Sequence, residues 1–111
     1  MKYISFKLNK EFRRLYGRGK CLVLPQVVIY YKRNNLPYCR VGVSVSKKLG
    51  GAVQRNRAKR VMLAAFRQIL PQLPYGYDFV FAGRVKTTKV KSTEVYVAMQ
   101  NALQSEGVLP L

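Results

Sequence analysis

The stretch Arg40-Val41-Gly42-Val43-Ser44-Val45-Ser46, continuing through Lys47-Lys48-Leu49-Gly50-Gly51 into Ala52-Val53-Gln54-Arg55-Asn56-Arg57-Ala58-Lys59-Arg60, decides how this chain is read. Its first seven residues alternate strictly. Successive side chains of a strand point to opposite faces, so Val41, Val43 and Val45 share one face and Gly42, Ser44 and Ser46 the other. The valine face is core. The Gly/Ser face is small and polar; it fits either a plain solvated sheet or the floor of a groove. From Ala52 the period changes to that of a helix. Ala58, Met62, Ala65, Phe66 and Ile69 form one apolar stripe, which predicts a helix over about Ala52 to Leu70, ended by Pro71 and Pro74.

Working outward, Leu8, Phe12, Leu15 and Tyr16 have the spacing of one helical face, with Asn9 as a plausible N-cap and Gly17 as a stop. Val27-Val28-Ile29-Tyr30-Tyr31 is a β-branched and aromatic run, and the turn-forming Arg33-Asn34-Asn35-Leu36-Pro37 follows it. Downstream, Tyr77 to Gly83 (YDFVFAG) is a further strand. A last helix, capped by Ser92 and closed by Gly107, carries Val95, Ala98, Met99, Ala102 and Leu103 on one face. The order α-β-β-α-β-α implies helices packed on a sheet, hence α+β or α/β. There is no internal repeat or low-complexity linker, so residues 1–111 are expected to form one domain.

Charge narrows the function. The chain has 21 Lys and Arg against four acids, Glu11, Asp78, Glu94 and Glu106, for a formal net charge of +17. No acid lies between Phe12 and Tyr77, where 14 of the basic residues fall. A field of one sign destabilises the compact state by self-repulsion, so the natural partner is a polyanion. A membrane partner is not expected, because no run approaches the roughly 20 apolar residues that span a bilayer. The N-terminal MKYISFKLNKEFRR has neither an apolar h-region nor a small-residue cleavage site. Cys21 and Cys39, with no CxxC and no histidine, are too few for a zinc site and read as reduced thiols in the cytoplasm.

No catalytic residue is assigned. The chain lacks histidine for general base work, and its carboxylates are too scattered to clamp catalytic metals. The basic helix is the stronger constellation. At 100° per residue Asn56, Arg60 and Arg67 lie together opposite the apolar stripe, flanked by Arg57 and Lys59. Guanidinium groups fork onto phosphate oxygens, and the helix has no acids to pair its cations internally. A second constellation is aromatic. Phe12 and Tyr16 sit one helical turn apart and Tyr30 lies on a strand. Aromatic rings beside cations grip single-stranded RNA by stacking its bases. Spacing alone, however, reads Phe12 as core.

The block VGVSVSKKLGGAVQRNRAKR resembles the signature of the bacterial ribonuclease P protein family, whose hallmark RNR motif stands here as Arg55-Asn56-Arg57, followed by Lys59-Arg60. Leu8 to Phe12 is similar to the family's first helix, and YDFVFAGR at 77–84 to its last strand. The resemblance implies a single-domain α+β sandwich of order α-β-β-β-α-β-α. It further implies a mixed four-stranded sheet, an extra strand near Cys21 to Leu24, and a left-handed βαβ crossover against the usual right-handed rule. It implies a subunit that joins a catalytic RNA, which with Mg²⁺ held mainly by the RNA removes the 5′ leader of precursor tRNA. On this basis Lys47, Lys48, Arg55, Asn56, Arg57, Lys59, Arg60 and Arg67 would meet the catalytic RNA. Phe12, Tyr16, Val28, Tyr30 and Ser44 would line a cleft for the leader, which reverses the core reading of Phe12. No metal site on the protein is implied. One departure is Leu63, where the family carries another Arg; its helical phase predicts an exposed side chain. The competing reading is a ribosomal or other structural RNA-binding protein, since fold alone does not give function. A third class is a basic membrane-active or DNA-coating protein.

Overall fold

A computed structural model describes residues 3–5, 17–74 and 76–110. Five strands form one mixed sheet: β1 (Tyr3–Ser5), β2 (Lys20–Val23), β3 (Val27–Arg33), β4 (Cys39–Ser44) and β5 (Tyr77–Gly83). The spatial order is β1-β4-β5-β3-β2. The four expected strands are all present, and the three-residue β1 adds a fifth at the edge, parallel to β4. β2 and β3 pair antiparallel, as do β3 and β5, whereas β4 and β5 run parallel. Parallel neighbours need a crossover, and α1 (Ala52–Ile69) supplies it. The last helix is α2 (Ser92–Ser105). The expected helix over Leu8 to Tyr16 lies outside the described residues.

The alternation read in the sequence sorts the sheet into two faces. Val27, Ile29 and Tyr31 of β3, Cys39 and Val41 of β4, and Tyr77, Phe79 and Phe81 of β5 are buried on the first face. Both helices cover this face and share its cluster. α1 contributes Ala58, Val61, Met62, Ala65, Phe66 and Ile69; α2 contributes Val95, Met99 and Leu103. Phe66 sits between strand rings, with centroids 6.1 Å from Phe79 and 5.5 Å from Phe81. Rings at such separations attract beyond their area burial. Val43 and Val45 are half-buried against the same cluster, as their spacing predicts.

Turn chemistry sets the element ends. α1 stops at Ile69, and Pro71 falls in the 3-10 turn Leu70–Gln72 that follows. α2 closes at Gly107, whose φ of 78° suits a residue without a Cβ; the Val108 N–H returns to the Leu103 carbonyl at 2.9 Å, the pattern of a Schellman cap. At the other end the expected Ser92 cap is displaced by one residue. Lys91 occupies the cap position and Ser92 begins the helix, with no side-chain capping bond. Gly50, at φ 121°, turns the chain from the 3-10 turn Lys47–Leu49 into α1. A Cβ there would also come within 3.1 Å of the Gln54 side chain. The Gly-Gly pair is therefore a joint between strand and helix.

Candidate nucleic-acid interface

Two surfaces present the residues singled out in the sequence, and they lie on opposite sides of the sheet. The first is the outer face of α1. Its buried stripe faces the sheet, so Asn56, Lys59, Arg60 and Arg67 are directed away from it and are exposed. Lys47 and Lys48 are exposed on the adjoining turn, which the buried Leu49 anchors. The anchor is close-packed: a Cβ added to Gly83 would meet the Leu49 side chain at 2.9 Å. Arg55 is half-buried and its Nε leans on the Gly51 carbonyl at 3.4 Å. Arg57 is exposed, but its guanidinium is engaged within the protein. Nε donates to the Thr88 carbonyl at 2.9 Å and one Nη to the Val90 carbonyl at 3.3 Å. Sequence reasoning missed this, because the acceptors lie more than thirty residues away.

Leu63 departs from its expected exposure. It is half-buried, although it does not join the core cluster. A wheel phase measured from the stripe assigns a direction; it does not register what a long side chain folds down upon.

The second surface is the other face of the sheet. Strand register places Cys21, Tyr30, Val80 and Gly42 in one row and Val23, Val28, Ala82 and Ser44 in the next. Val28, Tyr30 and Ser44 thus share this face, Ser44 lying across Ala82 of β5 from Val28, and all three are half-buried. In the Tyr30 row Gly42 is buried and adds no side chain, and Val80 beside it is fully buried. Phe12 and Tyr16 lie outside the described residues. A third row, Lys32, Asp78 and Arg40, closes one end. Here Arg40 grips Asp78 with both Nε and Nη2, at 2.8 and 2.7 Å, and the Asn34 amide donates to the same carboxylate at 2.6 Å. Asp78 is therefore spent on holding β4, β5 and the 33–38 turn together. The two surfaces approach each other where β4 ends: Ser44 is the last residue of the strand and Lys47 opens the basic turn.

The three carboxylates among the described residues are each engaged by neighbouring side chains. Glu106 accepts a hydrogen bond from the Tyr31 hydroxyl at 2.7 Å, with Lys20 at 3.9 Å. Glu94 accepts from the Gln26 amide at 3.1 Å and lies 3.9 Å from Lys86. Among the described residues no three potential ligands come together to hold an ion. The donor set of the described residues thus does not fit an inner-sphere Mg²⁺. Cys21 is exposed and Cys39 is buried, and both are free thiols. Burial pushes the Cys39 thiol above its ordinary pKa. No helix among the described residues is long and apolar enough to cross a membrane.

A basic helix docked on a small mixed sheet, with the half-buried Val28, Tyr30 and Ser44 on the reverse face, defines a class: a compact RNA-binding α+β protein whose cations outnumber its acids. Comparison with known proteins gives the family. The family model described as Ribonuclease P matches residues 1–106, and the chain belongs to that family. The Ribonuclease P protein component of Pelotomaculum thermopropionicum is 43% identical over 89 residues, covering 80% of each chain. That of Clostridium botulinum is 38% identical over 109 residues, covering 97% of this chain and 98% of its own. Among solved structures, the RNase P protein of Staphylococcus aureus superposes with a TM-score of 0.82 at 28% identity, covering 97% of this chain and 99% of that one. The protein from Thermotoga maritima gives 0.79, also at 28% identity, covering 91% and 96%. The chain is accordingly a protein subunit of the tRNA-processing ribonucleoprotein, and RNA binding is its general function.

Proposed function

We propose that the outer face of α1, with the Lys47-Lys48 turn, binds the catalytic RNA, while the reverse face of the sheet holds the 5′ leader of precursor tRNA. The bond is cut by the RNA and its Mg²⁺, and the polypeptide contributes binding and placement in the cytoplasm. The observation that carries this division is the separation of the two surfaces. One is a cationic helix face with no acid on it, suited to phosphates. The other is a sheet face with the half-buried Val28, Tyr30 and Ser44, and its aromatic ring suits unpaired bases. A leader threaded along this face would leave it near Ser44, next to the basic turn, and so pass toward the catalytic RNA.

Reconstitution tests it. Added to the catalytic RNA at low Mg²⁺, the protein should restore leader removal; alone it should cleave nothing. Trimming by nuclease-free protein without RNA would overturn the division of labour. Cys21 reports on this face directly, since it shares a row with Tyr30 and is exposed. Leader-bearing precursor should slow its alkylation, and mature tRNA should not. Equal protection by both would place the leader elsewhere.

A further inference from the structure

A groove of about 440 Å³ runs between the outer side of α1 and the start of α2. Arg60 forms one wall, Lys91, Ser92 and Thr93 the other, and Val61 and Ala64 the floor. Among the described residues neither the Arg60 nor the Lys91 side chain has an ion-pair or hydrogen-bond partner; the Lys91 carbonyl only accepts the first N–H groups of α2, from Glu94 and Val95. The nearest acid in sequence, Glu94, is turned away, held by Gln26 and Lys86. The groove is thus bounded by unpaired cations and hydroxyls over an apolar base. That is the chemistry of a sugar–phosphate backbone: cations and hydroxyls for the phosphate oxygens, and small apolar side chains for the ribose.

Arg57 stands at one end of this groove and does different work. Its fork onto the Thr88 and Val90 carbonyls ties α1 to the segment that leads into Lys91. That segment is fixed from its other side by Thr87, which is fully buried, donates to the Gln26 carbonyl and accepts from the Arg84 N–H at 2.9 Å. The distance between Arg60 and Lys91 is therefore set by Arg57 on one flank and Thr87 on the other. We infer that the catalytic-RNA surface extends beyond the RNR helix into this groove, which clamps one phosphate between Arg60 and Lys91, and that Arg57 is a positioning residue that sets its width. This rests on the proposed RNA-binding role of α1, but it assigns Lys91 to the interface and removes Arg57 from direct phosphate contact.

The test is a set of salt titrations of binding to the ribonuclease P RNA, each variant checked by thermal melt. Arg60→Ala and Lys91→Ala should each weaken binding roughly tenfold, as for a charge-assisted hydrogen bond. Each should flatten the log–log salt slope by nearly one unit, with melting unchanged. Arg57→Lys keeps the charge but loses the planar fork. It should bind nearly as poorly as Arg57→Ala, and in a Lys91→Ala background it should weaken binding little further. An unchanged slope in Lys91→Ala, with Arg60→Ala flattened, would overturn the groove while leaving the helix reading intact. Wild-type affinity in Arg57→Lys would mean that Arg57 touches phosphate itself. If Arg60→Ala also has no effect, the reading of α1 as the RNA face fails first.

Discussion

At the scale of single residues, Asp78 is the residue on which the reverse face depends. It satisfies two Arg40 donors and the Asn34 amide, and its side chain is only 12% exposed. Removing one partner of a largely buried pair leaves the other charge uncompensated. Asp78→Ala should therefore destabilise by about 3 kcal/mol, read as a lowered denaturant midpoint. Replacement of both Arg40 and Asp78 by apolar residues should recover much of that loss, which a double-mutant cycle checks. Leu63 poses the opposite case. Being half-buried outside the core, Leu63→Arg should cost about 1 kcal/mol, more than a plain surface change and less than a core one. Its added charge should steepen the salt slope of RNA binding if the position faces the catalytic RNA. Melting several degrees lower with no gain in slope would mean that Leu63 packs and does not face RNA.

At the scale of elements, the C-terminal end of α2 is joined to the sheet by one hydrogen bond with a titratable donor. Burial first, and then the bond to Glu106, raise the Tyr31 hydroxyl above its ordinary pKa. A raised pKa means that the folded state holds this proton more tightly than the unfolded chain. The associated stability is complete below the ordinary tyrosine value near 10. It is lost as the pH climbs through the folded value. Urea midpoints should fall between pH 9 and 11 in the wild type, and Tyr31→Phe should lose less over the same range. A parallel fall in both would assign the alkaline limb to other groups. The same end of α2 relies on Gly107 in the left-handed region, so Gly107→Ala should cost about 1 kcal/mol.

At the scale of the whole molecule, a net charge of +17 on 111 residues is the largest single fact. Repulsion within the folded chain should make stability rise with salt and, more steeply, with RNA, which binds the native state. Thermal melts in increasing sulfate, and with RNA added, should move upward together; a melt indifferent to both would contradict the reading. Much of this molecule was legible in its sequence because the signals are local. Val41, Val43 and Val45 announced the core face of β4. Ala58 through Ile69 announced the buried stripe of α1. YDFVFAG announced β5 to the residue through its aromatic and β-branched run, although Asp78 and Val80 of its other face are buried as well. The RNR block announced RNA through charge of one sign, and the family resemblance supplied β2, whose KCLV is too short and too exposed to stand out. What required the tertiary structure were relations across long separations. Strand register alone put Val28, Tyr30 and Ser44 on one face of the sheet, with β5 between Ser44 and the other two. Only folding showed Arg57 committed to carbonyls of Thr88 and Val90, or Lys91 facing Arg60. Periodicity reports which way a side chain points from its own element. It carries no information on what another element, tens of residues away, places in front of it.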